Sequence, residues 1–223
     1  MAFSFSELTV PLIGAPMAGG PSTPALAAAV SEAGGLGFIA GGYRTAQQLA
    51  DEITAARAAT SGPIGVNLFV PQPSGADVVL LDEYADLLDP LAEHYGVELG
   101  RPRFGDDDCW PEKLEVIADL RPTVVSFTFG TPSPDDIEML RALRILTVVT
   151  VTSAYEAGVA LGHGAEVLVV QGPKAGGHRG TFAPDVHPGT DSLEHVLAEI
   201  THAHGHVPLV AAGGLGTAAD VAG

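Results

Sequence analysis

The stretch Val169-Val170-Gln171-Gly172-Pro173-Lys174-Ala175-Gly176-Gly177-His178-Arg179-Gly180-Thr181-Phe182 ends an apolar run on an amide and then presents an imidazole in a glycine-dense loop. Imidazole is the side chain whose ordinary pKa suits proton transfer near neutrality. Glycines let a backbone approach a ligand closely and leave N–H groups free for anions. Lys174 and Arg179 flank His178, two of only ten cations in the chain, as a site for an anionic ligand requires. A structural histidine in a solvated loop is the plainer alternative; the position at the end of an apolar run favours the functional reading.

A second glycine pair follows in Leu209-Val210-Ala211-Ala212-Gly213-Gly214-Leu215-Gly216-Thr217, where an apolar run leads into a helix start. Orphan N–H groups and the helix dipole at such a start can hold a phosphate. Alone, Gly213-Gly214 is equally a tight turn; paired with Gly176-Gly177 it favours a phosphorylated cofactor. Asn67, in Gly65-Val66-Asn67-Leu68-Phe69, puts an amide near the end of an apolar run. A buried amide needs a partner, and a ligand and a loop carbonyl are equally eligible.

Other groups carry less. His202, His204 and His206 alternate near a helix end without the converging geometry of a metal centre, and no metal site is assigned. Asp106-Asp107-Asp108 lacks the spaced ligands of a calcium loop and is expected to solvate its loop or cap the next helix. No Gly-x-Ser-x-Gly elbow is present, and Cys109, the one cysteine, has no activating context.

Behind these residues, short Val/Ile/Leu-rich runs alternate with segments of helical spacing. Strands are expected over residues 10–15, 36–40, 64–69, 123–129, 145–151, 166–171 and 208–212, each apolar enough to be buried on both faces. Helices are expected over 23–32, 45–58, 77–94, 111–120, 134–143, 153–161 and 192–202, with Ser, Thr or Asp near several starts. A doubly wound sheet and a (β/α)8 barrel both satisfy this alternation. The first apolar run lacks Gly-x-Gly-x-x-Gly, and the glycine-rich turns follow the late strands instead, which favours the TIM-type barrel. Residues 96–112, with Arg101-Pro102-Arg103-Phe104, interrupt the alternation and are expected to be an inserted surface loop in a single domain spanning 1–223. The alternation stops at Gly223 inside what would be the seventh helix. The expectation is therefore an incomplete barrel of about seven βα units whose eighth strand lies outside these residues.

Twenty-seven acidic against ten basic side chains give a formal charge of −17, which disfavours a nucleic-acid partner. A lone cysteine fits a reducing compartment. The N-terminal residues lack a secretory n-region, and Pro11, Pro16, Pro21 and Pro24 break up the uncharged stretch 9–31, so a cytoplasmic protein with no membrane span is expected. The sequence sets no oligomeric state.

Taken in order, Ala15-Pro16-Met17-Ala18-Gly19-Gly20, Ala33-Gly34-Gly35-Leu36-Gly37, Gly65-Val66-Asn67-Leu68-Phe69, Gln171 with Ala175-Gly176-Gly177-His178-Arg179-Gly180, and Ala211-Ala212-Gly213-Gly214 resemble the nitronate monooxygenases, formerly 2-nitropropane dioxygenases, which are FMN-dependent TIM barrels. The resemblance implies that Asn67, Gln171, Gly176, Gly177 and Gly214 contact FMN, that Gly213 helps hold its phosphate, and that backbone around Met17 lies against the isoalloxazine. It implies His178 as the active-site histidine, binding an anionic nitronate or deprotonating a neutral nitroalkane, with O2 as co-substrate and a carbonyl compound and nitrite as products. The family's Gly-Thr phosphate loop after the eighth strand has no match in these residues.

Three rivals stand beside this. An FMN-dependent enoyl-acyl-carrier-protein reductase resembles the chain in its barrel and Gly-Gly-His loop but needs NAD(P)H; Ala15–Gly20 and the Arg179-Gly180-Thr181-Phe182 continuation look more like the nitronate enzymes. The others are a flavin-free, non-catalytic barrel remnant and a phosphosugar lyase or isomerase barrel.

Overall fold

The computed structural model describes residues 3–73, 75–100, 104–205 and 207–222. Arg101, Pro102 and Arg103 of the expected insertion, His206 of the histidine series and Gly223 lie outside them.

Six strands, β1 (Gly37–Ala40), β2 (Ile64–Phe69), β3 (Val124–Thr128), β4 (Leu146–Val151), β5 (Val167–Gln171) and β6 (Leu209–Ala212), form one parallel sheet in the order β1-β2-β3-β4-β5-β6. A doubly wound sheet reverses strand order at a switch point. This order never reverses, and the fold is an incomplete TIM-type barrel in which the sheet curls with helices outside.

The helices are α1 (Pro24–Glu32), α2 (Ala46–Ala59), α3 (Val78–Tyr95), α4 (Trp110–Leu120), α5 (Pro134–Ala142), α6 (Ala154–His163), α7 (Leu193–His204) and the short α8 (Ala218–Ala222). Thr23, Thr45, Asp77, Ser133, Ser153 and Ser192 each cap a start by accepting a backbone N–H, which is why these boundaries are legible in the sequence. Among the described residues no helix is long and apolar enough to cross a membrane.

Two expectations are corrected. The strand expected over 10–15 shrinks to a single parallel bridge, Ile13 to Leu36, because Pro11 and Pro16 bracket it and lack the N–H a longer ladder needs. The last strand is not buried on both faces: β6 is partly exposed along its length, since β5 is its one paired neighbour among the described residues.

The strand period of two sorts side chains onto two faces. The outer face, including Ile39, Val66, Leu68, Phe127, Val149 and Leu168, packs with helix residues such as Leu49, Ile53, Ile117, Leu140 and Ile200 in the main core. The inner face divides along its length. Toward the strand starts it is apolar, with Phe38, Val124, Leu146, Val148 and Val167 closed over by Phe3, Phe5, Leu8 and Ile13 from the N-terminal segment. Toward the strand ends the same face carries Asn67, Ser126, Thr128, Thr150 and Gln171. The fold thus plugs one end of the half-barrel with hydrocarbon and collects polar groups at the other.

Candidate active site

Asn67 on β2 stands in register with Ser126 on β3. Only 3% exposed, it donates from Nδ2 to Ser126 Oγ at 2.9 Å, Thr128 Oγ1 at 3.0 Å and Ser126 O at 3.2 Å. Its amide NH2 group is therefore held by the neighbouring strand rather than by a loop carbonyl. Buried amides must be satisfied, and here the adjacent hydroxyls do it.

Gln171 ends β5, and both ends of its amide reach the loop that follows. Oε1 accepts from Gly180 N at 2.8 Å and Nε2 donates to His178 O at 3.2 Å. Gly180 is buried on the inner face: a Cβ there would stand 3.0 Å from Thr150 Cγ2 and 3.2 Å from Thr128 Cγ2, so a larger residue would have to push these methyls aside for the loop to lie this low. His178 itself is exposed, its ring edge-on to Phe129 with centroids 6.2 Å apart. Phe129 meets Phe69 at 4.9 Å, and Phe69 meets Tyr43 at 5.4 Å, giving an aromatic rim across the strand ends. Tyr43 and Phe129 hold φ of 63° and 69°, left-handed conformations that L side chains seldom adopt.

Arg179, the second cation expected beside His178, commits one of its guanidinium nitrogens to the loop itself. Its Nη1 donates to the carbonyls of Gln171, at 2.6 Å, and Gly172, so the guanidinium folds the loop back on its own start. Desolvation pulls its pKa below the usual arginine value, against a smaller opposing attraction from Glu156. Lys174 stays exposed and remains the cation next to the glycines.

The two glycine pairs do come together. Gly172 N donates to Ala212 O at 2.8 Å, and a Cβ on Gly214, at φ 80°, would stand 2.6 Å from Lys174 Cβ. The N–H groups of Gly176, Gly177, Gly213 and Gly214 have no protein partner among the described residues, and a Cβ on Gly176 or Gly177 would meet nothing. The helix start beyond them is different from the expectation. Asp220 Oδ2 accepts from Gly216 N at 3.1 Å, Thr217 N at 2.8 Å and Thr217 Oγ1 at 2.8 Å, so those N–H groups are already satisfied within the chain. Thr217 hydroxyl first, then the backbone N–H groups, hold the Asp220 carboxyl below its usual value. The donor set that suits a phosphate is thus the two glycine pairs with Lys174.

Met17 sits apart from this cluster, at the other edge of the sheet. It is 44% exposed, and its N–H donates to Ser22 Oγ at 2.8 Å. A concavity of about 760 Å3 lies at the opposite, strand-start end, lined by Phe3, Ser4, Glu7, Arg121 and Arg144 among others. It holds none of the residues singled out in the sequence and lies far from the chemistry of the glycine loops.

Sequence reasoning passed over two elements. Glu156, 7% exposed in the first turn of α6, accepts from Thr152 N at 2.6 Å, Thr152 Oγ1 at 2.8 Å and Phe182 N at 2.8 Å. An acidic residue in a capped first turn was the available signal. The segment before α4 is also more than a surface excursion. Asp108 accepts from Tyr43 N at 3.0 Å through Oδ1, and its Oδ2 lies 2.7 Å from the buried Lys113 ammonium, too far out of line to count as a hydrogen bond. Asp107 and Asp106 accept from Cys109 N and Asp108 N within the loop, and Cys109, at the start of α4, provides no side-chain cap.

A parallel half-barrel with paired glycine turns and an imidazole at its strand ends has the layout of a TIM-barrel enzyme. The family model described as nitronate monooxygenase matches residues 4–223, and the chain belongs to that family. It is similar to the nitronate monooxygenase of Pseudomonas aeruginosa, 41% identical over 92% of this chain and 59% of the relative. To that of Paraburkholderia phytofirmans it is 38% identical over 95% of this chain and 58% of the relative. Among solved structures, nitroalkane oxidase from Streptomyces ansochromogenes superposes with TM-score 0.87 at 42% identity, covering 94% of this chain and 60% of that one. FabK from Thermotoga maritima superposes less closely, with TM-score 0.69 at 25% identity over 98% of this chain and 56% of that one. The chain thus spans about three fifths of the length of the curated relatives, at 59% and 58%.

Proposed function

We propose that this chain belongs to an FMN-dependent nitronate monooxygenase that oxidises alkyl nitronates, such as propionate 3-nitronate, with O2 to a carbonyl compound and nitrite. The observation that carries the reading is the convergence of Gly176-Gly177 and Gly213-Gly214, with four N–H groups lacking protein partners, beside a loop tethered so that it presents His178. Those N–H groups and Lys174 fit an FMN phosphate, and the strand-end row of Asn67, Thr128, Thr150 and Gln171 supplies the polar surface next to it. Met17 backbone closes the opposite side. When bound, the flavin supplies the electron-transfer and oxygen chemistry. The chain's own contribution is positional and acid–base. An imidazolium at His178 holds the anionic nitronate oxygens; a neutral imidazole takes the proton from the carbon bearing the nitro group where a neutral nitroalkane is accepted. The Phe129 and Phe69 rings give the alkyl part an apolar wall. The family membership and the identity to named nitronate monooxygenases support this reading over the reductase. A single domain, a cytoplasmic location and a role in nitronate detoxification go with it.

The test is the visible spectrum of the purified chain with and without added FMN, followed by anaerobic propionate 3-nitronate. A flavin spectrum that bleaches, with nitrite formed on admitting air, is the expected result. A bound flavin bleached by NAD(P)H and indifferent to nitronate would replace this reading with the reductase. A folded chain indifferent to FMN would favour the flavin-free remnant.

A further inference from the structure

We propose that Glu156 is a positioning residue that fixes the far end of the His178 loop, an inference that rests on His178 being the active-site imidazole. The loop leaves β5 at Gln171 and is tied at three places. Gln171 holds it in the middle, through His178 O and Gly180 N. Arg179 holds it to its own start, through the carbonyls of Gln171 and Gly172. Glu156 holds its end, through Phe182 N.

The carboxylate is suited to this. Its Oε2 is fixed by two donors from Thr152, just after β4, which leaves Oε1 aimed at Phe182 N–H. Ser153 caps α6 by accepting from Glu156 N at 3.2 Å, so the residue starts from a fixed backbone as well. At 7% exposure the charge has little water, and it attracts the Arg179 guanidinium. A glycine-rich loop has little local preference of its own, so its shape depends on anchors of this kind. With His178 between the Gln171 and Glu156 anchors, the placement of the imidazole over the strand ends depends on both.

Glu156→Gln separates the two jobs of this side chain. An amide has one acceptor oxygen, and Thr152 offers it two donors against one from Phe182. The oxygen turns to Thr152, the NH2 group opposes Phe182 N–H, and the attraction between the carboxylate and Arg179 is gone. Amide hydrogen exchange on the flavin-free chain is expected to rise about tenfold or more at Gly180 and Phe182, with α6 and the sheet unchanged. The His178 imidazole resonances should shift or broaden with it. In the FMN-loaded chain kcat for nitronate should fall about tenfold while KM stays within about twofold, as a misplaced group with intact binding requires. Thr152→Val, which removes one of the two donors on Oε2, gives a milder version, with about threefold faster loop exchange, and reads the same loop should Glu156→Gln fail to fold. Unchanged loop exchange in a folded variant, or a uniform rise through α6 and the sheet, overturns the proposal. Faster loop exchange in a chain that never turns over nitronate supports the anchoring and overturns the nitronate reading instead.

Discussion

Lys113 is 1% exposed, and Asp108, with its side chain 23% exposed, is the acid that faces it at 2.7 Å. Replacing Asp108 by Asn keeps the acceptor for Tyr43 N–H but removes the counter-charge and turns an NH2 group toward the ammonium. At 2.7 Å and an effective dielectric of about 20, the attraction lost is about 6 kcal/mol. Partial exposure of the acid and water entering beside the stranded lysine reduce this to about 3–5 kcal/mol of destabilisation. For a chain of 223 residues that is a drop of roughly 6–20 °C in Tm. The assay is urea and thermal unfolding of Asp108→Asn, Lys113→Met and the double variant. Lys113→Met alone should be much milder, because Asp108 can turn to water and the thioether fills the buried volume. The double variant should recover more than half of the Asp108→Asn loss. A loss below about 1 kcal/mol for Asp108→Asn, or a double variant as unstable as the sum of the singles, would refute the view that this pair tethers the α3–α4 connection to the rim.

His178→Ala should leave FMN affinity within about twofold and lower nitronate turnover at least about a hundredfold, measured by flavin titration and nitrite release; unchanged turnover removes His178 from the mechanism. Gly214→Asp is expected to abolish FMN binding in a titration, since its Cβ would stand 2.6 Å from Lys174 Cβ, at a φ of 80° that disfavours side chains, and a carboxylate would face the phosphate. Normal affinity would put the phosphate elsewhere. Asp220 has a lowered folded pKa, so the stability it contributes is complete above the unfolded value of about 3.9 and is lost as pH falls through the lower folded value. Thr217→Val should move its carboxyl titration, followed by carbon NMR, back up toward that ordinary value; an unmoved midpoint would show that the hydroxyl is not the main cause.

The sequence by itself determined the local elements and their kind. Apolar runs marked the strands β1 to β6, and Thr45, Ser133 and Ser153 marked helix starts, because strand period and capping act over a few neighbouring residues. Glycines after the late strands carried the barrel reading and located the loop of His178. Only the tertiary structure decided which polar groups meet. Asn67 finds Ser126 across 59 residues, Tyr43 finds Asp108 across 65, and Phe182 finds Glu156 across 26. It also showed Arg179 clamping the carbonyls of its own loop, and shortened the first strand to one bridge. Periodicity says which face a side chain takes, but a hydrogen-bond partner depends on strand register and on how far each loop folds back, and both are set by packing across the whole sheet.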